Sequence, residues 1–248
     1  MKIIAANWKM NKTRAEAKSF LDDLKKLVPQ EPKNRVIICA PFTSLDVVKN
    51  GPAFVELGAQ NFHPAPNGTF TGEISLSMLK EAGVKVVLTG HSERRTIFNE
   101  SDAFINQKTK TAIEQGFITI FCFGESFEEY TAAKTSEVIK RQLTEGLAGV
   151  TDCKNLIVAY EPVWAISGGD PNKPKPIPTR EIIEQIHGEV KRILAKQFNG
   201  ADIPVLYGGS ANDKNCVDLH TIKGVDGYLI GGASLVAEKY ATMINYNG

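Results

Sequence analysis

The sequence predicts a (β/α)8 barrel, and three observations point to it. Short apolar runs alternate with amphipathic stretches along the whole chain. The runs are mostly apolar throughout rather than alternating, as strands are when a parallel sheet is covered on both faces. The chain has 248 residues, the usual length of such a barrel, and long enough to bury a core without disulfides or metals. A doubly wound open sheet is the structural alternative. It would carry a glycine fingerprint after the first strand, where "NWKMNK" has none.

Strands are expected at 2–7 ("KIIAAN"), 35–40 ("RVIICA"), 54–60 ("FVELGAQ") and 85–90 ("KVVLTG"). The remaining strands are expected at 117–123 ("FITIFCF"), 155–161 ("NLIVAYE"), 203–209 ("IPVLYGG") and 225–231 ("VDGYLIG"). Between them, Ala17, Phe20, Leu21, Leu24, Leu27 and Val28 fall at helical spacing, with charged residues opposite. Ile182, Ile183, Ile186, Val190, Ile193 and Leu194 do the same. Helices are also expected over 74–82, 102–115, 127–147, 212–220 and 233–244, with a short, weak one at 44–50. No linker or low-complexity tract interrupts the series. One domain over 1–248 is expected, with an extended loop at about 162–178.

Composition narrows the function classes. Apolar residues make up 42% and charged residues 23%, with 29 basic against 28 acidic, a net charge of +1. That balance argues against nucleic-acid or membrane-surface binding by bulk charge, while leaving local basic spots free for an anion. Cys39, Cys122, Cys153 and Cys216 form no C-x-x-C pair and have no nearby histidine. They read as reduced thiols of the cytosol, not as a zinc site. The start "MKIIAANW" leaves no room for a signal peptide. No run approaches the ~18 apolar residues of a membrane span. A soluble cytoplasmic chain is expected.

In this fold the chemistry sits at the C-terminal ends of the strands. Those ends carry Asn7-Trp8-Lys9, His91-Ser92-Glu93, Glu161, Gly208-Gly209-Ser210 and Gly231-Gly232-Ala233-Ser234. The last two are glycine-rich turns that open helices, after the strands that hold this fold's recurrent phosphate site. Glycine admits close backbone approach and free N–H groups attract an anion. Two such turns side by side favour phosphate binding over plain turn-making. Lys9 reads either as a surface lysine or as a donor to a developing oxyanion. His91 is either a structural histidine or, at the start of "SERRTIF", a neutral imidazole that polarises a carbonyl. Glu161 is either half of an ion pair or a base that the following Pro-Val-Trp-Ala-Ile run shields from water. One base and several electrophiles suit proton abstraction beside a carbonyl, with a phosphorylated small sugar as the substrate class.

Taken together, "NWKMN", "FTGEIS", "GHSERR", "CFGES", "AYEPVWAI", "YGGSAN" and "LIGGASL" resemble the triosephosphate isomerase family, in that family's order and across essentially the whole chain. The resemblance implies reversible interconversion of dihydroxyacetone phosphate and D-glyceraldehyde 3-phosphate, in glycolysis and gluconeogenesis, without cofactor or metal. It implies Glu161 as the base, His91 as the neutral electrophile, and Lys9 with Asn7 as stabilisers of the oxygens. It assigns the phosphate to backbone groups near Ser210, Gly231 and Gly232. Glu93 is implied as an acid beside the lysine, and Cys122 as a packing cysteine behind the site. Neither a nucleic acid nor a membrane is an implied partner. A homodimer is, with Thr71 and Glu73 of "NGTFTGEIS" near the partner's Asn7–Lys9 region.

The loop after the sixth strand is implied to be a lid, with Val163 and Trp164 as its first hinge and Glu125 as partner of the indole N–H. Here the chain departs from the family. Ile166-Ser167-Gly168-Gly169-Asp170 stands where the family usually reads Ile-Gly-Thr-Gly-Lys, and prolines follow at 171, 174, 176 and 178. The stretch is longer than usual by roughly six residues, which lids tolerate. Ser167 is expected to offer its N–H to the phosphate, and the proline segment to form a fixed outer flap. Two other readings compete. Another phosphosugar enzyme of this fold, an epimerase or a biosynthetic isomerase, would share the phosphate turns but not the His91–Glu161–Lys9 set. A barrel kept only as a binding protein would not need that set.

Overall fold

A computed structural model describes residues 1–166 and 176–247. These residues form a closed barrel of eight parallel strands in sequence order. The strands are β1 (Ile3–Asn7), β2 (Arg35–Ala40), β3 (Val55–Ala59), β4 (Val86–Thr89), β5 (Ile118–Phe123), β6 (Leu156–Tyr160), β7 (Val205–Tyr207) and β8 (Gly227–Ile230). The barrel closes where Ile3 pairs with Gly227 and Ala6 with Ile230. No helix among the described residues is long and apolar enough to cross a membrane.

The uniformly apolar strands divide by alternation into two cores. Ile3, Ala5, Ile37, Cys39, Leu88, Ile120, Cys122, Ala159 and Leu229 fill one cluster. Their neighbours Ile4, Ala6, Ile38, Val87, Phe121, Val158 and Ile230 pack in the other, with helix residues such as Phe20, Leu24, Ile183 and Val190. The first cluster is therefore the barrel interior and the second the layer beneath the helices.

Helix α1 (Arg14–Leu27) starts in a capping box in which Thr13 and Glu16 satisfy each other's backbone N–H. It buries Ala17, Phe20, Leu21 and Leu24 of the face that the spacing predicts, whereas Leu27, in its last turn, is exposed. The weak 44–50 segment is a real helix, α2 (Leu45–Lys49), and α3 (Leu76–Ala82) begins at a Ser75 cap. Next come α4 (Ser92–Thr96) and α5 (Asp102–Glu114).

Two expected helices are broken. The 127–147 stretch divides into α6 (Phe127–Thr131) and α7 (Thr135–Gly146), with Ala133 left-handed at φ 55°. α7 buries Val138, Ile139 and Leu143, whereas α6 stacks Tyr130 on Trp164 with centroids 4.2 Å apart. One straight helix would not serve both partners, and the break falls where the sequence has neither glycine nor proline. Helix α8 (Arg180–Gln197) then follows the predicted isoleucine pattern. The 212–220 stretch is helical only in α9 (Cys216–His220). Before it, Asn212 Oδ1 caps a turn by accepting from the N–H groups of Lys214 and Asn215, and Asn215 Oδ1 accepts from Asn212 N. At 233–244 a tight 3-10 turn (Gly232–Leu235) precedes α10 (Ala237–Asn245).

Helix α8 also buries His187 completely. Nδ1 faces the Gly224 carbonyl at 3.0 Å and must donate, while Nε2 meets no partner among the described residues. Burial pushes its pKa from 6.5 down to about 4. The unfolded chain takes up a proton near pH 6.5 that the folded chain refuses, so stability is intact above pH 6.5 and falls as pH drops towards 4. The full loss is about 3 kcal/mol. The denaturant midpoint of the native protein is expected to fall across that window, and that of His187→Asn to fall less.

Candidate active site

The residues picked from strand ends gather at one mouth of the barrel. Lys9 follows β1 with a left-handed backbone, φ 53°. Two side chains hold that conformation. Asn7 Oδ1 accepts from Lys9 N at 3.0 Å, and Gln60 Nε2 donates to Lys9 O at 2.9 Å and to Cys39 O at 3.0 Å. The Lys9 ammonium donates to Glu93 at 2.8 Å. Burial is the largest single influence on the Glu93 carboxyl and raises its pKa, but the hydrogen bond from Lys9 and the neighbouring positive charge together outweigh it and hold the carboxyl below its ordinary range.

His91 caps α4 at the end of β4. Its Nδ1 accepts from Glu93 N at 3.2 Å, and a ring nitrogen that accepts an N–H carries no proton. The network therefore assigns a neutral ring with its proton on Nε2. Nε2 stands 3.2 Å from Glu161 Oε1, and Glu161 Oε2 accepts from Ser92 N at 3.0 Å. Both side chains are buried.

The glycine turns crowd this pair. A Cβ on Gly208 would meet Glu161 Cγ at 2.7 Å, so only glycine lets β7 pass behind the acid. At Gly232 a Cβ would meet nothing within 4 Å, so this turn faces open space. Ser234 Oγ pins the turn to Ile230 O and Gly231 O. Ser210 Oγ donates to Ala165 O and ties the other turn to the loop after β6. A narrow cleft joins these parts, lined by Asn7, Lys9, His91, Glu161, Gly209 and Gly231 among others. Cys122 lies inside the barrel, where burial pushes its thiol well above the ordinary range.

Trp164 is nearly buried in a tight turn, Val163–Ala165. Its Nε1 donates to Glu125 at 2.9 Å, the partner that the sequence suggested, and the Tyr160 hydroxyl donates to the same carboxylate at 3.0 Å. Burial raises the Glu125 pKa, and these donors oppose the rise. Val163 N also donates to Glu125 O at 3.1 Å, so the first residues of the loop are fastened to β5. Ser167 and the rest of 167–175 lie outside the described residues, and so does the expected phosphate contact of Ser167.

Thr71 and Glu73 are not in the cleft. They are exposed beside a separate open hollow with Phe70, Arg94 and Phe98.

Sequence reading missed Gln60 and Arg95. Arg95 Nε donates to Gly90 O at 2.7 Å and Nη2 to Cys122 O at 3.2 Å, while Nη1 meets Asp102 at 2.5 Å. It thereby laces the residue before His91 to β5. The double arginine of "SERR", one turn after the strand-end histidine, was the available signal.

The comparisons agree with this geometry. The triosephosphate isomerase family model matches residues 2–247. Proteins named triosephosphate isomerase are similar along nearly the full length. That of Protochlamydia amoebophila is 43% identical, over 99% of this chain and 93% of the relative. That of Fusobacterium nucleatum is 43% identical, over 98% and 97%. That of Alkaliphilus metalliredigens is 39% identical, over 98% of each. With the closed barrel and the strand-end residues gathered at its mouth, these matches mean that the chain belongs to the triosephosphate isomerase family.

Proposed function

We propose that Glu161, His91 and Lys9 carry out the reversible interconversion of dihydroxyacetone phosphate and D-glyceraldehyde 3-phosphate in this chain. The Glu161 carboxylate takes a proton from C1 of the ketose. The C–H electrons form the C1–C2 double bond, and the carbonyl oxygen becomes an enediolate oxygen. His91 Nε2–H and the Lys9 ammonium stabilise that charge; the C1 hydroxyl gives up its proton and the C2 oxygen gains one, and Glu161 returns its proton to C2 as the C1–O bond becomes the aldehyde carbonyl. The observation that carries the reading is the neutral His91 with its donor 3.2 Å from Glu161. His91 Nε2 lies beside Glu161 Oε1; a substrate carbonyl entering the cleft takes the Nε2 proton donor and leaves the carboxylate to act as base. No cofactor has a part in this sequence of steps.

Backbone groups near Ser210, Gly231 and Gly232 hold the phosphate in this reading. It is supported by the open space at Gly232 and by the position of these turns in the barrel. The purified chain is expected to turn over dihydroxyacetone phosphate and to be inhibited competitively by 2-phosphoglycolate. Tight phosphoglycolate binding without turnover would instead favour a barrel kept for binding.

The same reading takes residues 1–248 as one barrel domain, acting in the cytoplasm as a homodimer. The dimer is supported by exposed apolar side chains on the loops after β1, β2, β3 and β4. Met10 is 98% exposed, Ile97 66% and Phe98 59%, with Phe42 and Phe70 also open. An open hollow connects Met10, Phe42 and Phe98 with Asn7, Lys9 and Glu93, so a partner's Thr71–Glu73 loop seated there would border the site. Sedimentation at micromolar concentration is expected to give twice the chain mass. A monomer with full activity would contradict this.

A further inference from the structure

The arch after β1 holds a second left-handed residue that the chemistry above leaves unused: Lys12, at φ 72°. Glycine adopts that conformation freely and a side chain resists it, so a lysine there calls for a reason in its side chain. The Lys12 ammonium donates to Leu235 O at 3.0 Å. It lies 4.5 Å from the centroid of Phe20 and 5.5 Å from that of the fully buried Trp8, within cation–π range of both. Its own carbonyl accepts from Ser44 Oγ at 3.4 Å, so the arch is held from two sides.

Two of these contacts border the site. Trp8 stands between Asn7 and Lys9. Leu235 closes the turn that Gly232 opens. Ser234 pins the opening end of that turn, and Lys12 holds its far end. Lys12 therefore bridges the seam between β1 and β8, with the Lys9 arch on one side and the glycine turn on the other. Substrate must reach both at once, its phosphate on the turn and its oxygens at Lys9.

We propose that Lys12 is a positioning residue for the substrate's phosphate. It fixes the Gly232–Leu235 turn against the Lys9 arch, so that the N–H groups at Gly231 and Gly232 stay directed at the dianion. This rests on the reading of that turn as the phosphate site.

Lys12→Met keeps the stem and removes the donor and charge; Lys12→Gly also relaxes the backbone; Lys12→Arg restores a cationic donor. The probes are D-glyceraldehyde 3-phosphate and, as competitive inhibitor, inorganic phosphate. Lys12→Met and Lys12→Gly are each expected to raise KM and the phosphate inhibition constant together, by about fivefold, as for loss of one charge-assisted bond. kcat stays within about twofold, because His91 and Glu161 are untouched. Lys12→Arg recovers most of the binding. Lys12→Gly is expected to melt above Lys12→Met while binding phosphate equally weakly. A purely structural lysine would make binding follow stability.

Gly232→Asp separates the two layers of the argument, since its carboxylate would project into the open space at the turn. If Gly232→Asp abolishes phosphate inhibition and Lys12→Met leaves it unchanged, the role of Lys12 is overturned and the phosphate turn stands. If Gly232→Asp leaves phosphate inhibition unchanged, the phosphate turn falls, and the role of Lys12 with it.

Discussion

Replacing Glu161 with glutamine is expected to lower kcat by roughly 10³-fold, within the range of a positioned base, with little change in KM. The side chain is buried, accepts a hydrogen bond from Ser92 N and lies 3.2 Å from His91 Nε2. Glutamine has the same size and an amide oxygen that can accept from Ser92, so the fold and the Gly208 contact should survive. What disappears is the proton affinity of the carboxylate. The glycine turns are not altered, so substrate still binds. A melting temperature close to that of the native protein should accompany the loss. A variant that keeps more than about a tenth of the native kcat would show that another group removes the proton.

His91→Gln is expected to cost roughly 10²- to 10³-fold in kcat, the usual effect of losing one oxyanion donor. The imidazole is held from both sides: Nδ1 by Glu93 N, and the preceding residue by Arg95 on Gly90 O. Its Nε2 donor therefore has one direction, towards the cleft. A glutamine amide is longer and freer and brings no such alignment. The two losses should not add. Glu161→Gln/His91→Gln is expected to be little slower than Glu161→Gln alone, because a donor to an enediolate has no task when no enediolate forms. Full additivity would mean that the two residues act on separate steps.

The strand ends were legible in the sequence because parallel-barrel strands are short, apolar and followed at once by the polar residues of the mouth. Trp164 stood out because a large indole in a loop has to be covered and its N–H bonded, and the family resemblance supplied Glu125 as the partner. The break at Ala133 was not legible, since it answers to Tyr130 reaching Trp164, a contact between distant parts of the chain. The late start of α9 was hidden in the reciprocal side-chain bonds of Asn212 and Asn215, which build a turn ahead of Cys216. Arg95 and Lys12 escaped notice because charged residues in loops and short helices are usually solvated. Their bonds to Gly90, Cys122 and Leu235 exist only once the barrel has closed. Residue identity at strand ends thus exposed the candidate chemistry, while the parts that hold it in place depend on closure.

The central claim is that the carbon-bound proton passes through the Glu161 carboxyl. Isomerisation of dihydroxyacetone phosphate in D2O, with the product trapped and examined by proton NMR, tests it most directly. A carboxyl group exchanges its proton with solvent, so the account predicts deuterium at C2 of the D-glyceraldehyde 3-phosphate formed, and loss of both turnover and incorporation in Glu161→Gln. Product with no deuterium at C2, or incorporation by Glu161→Gln at the native rate, would contradict it.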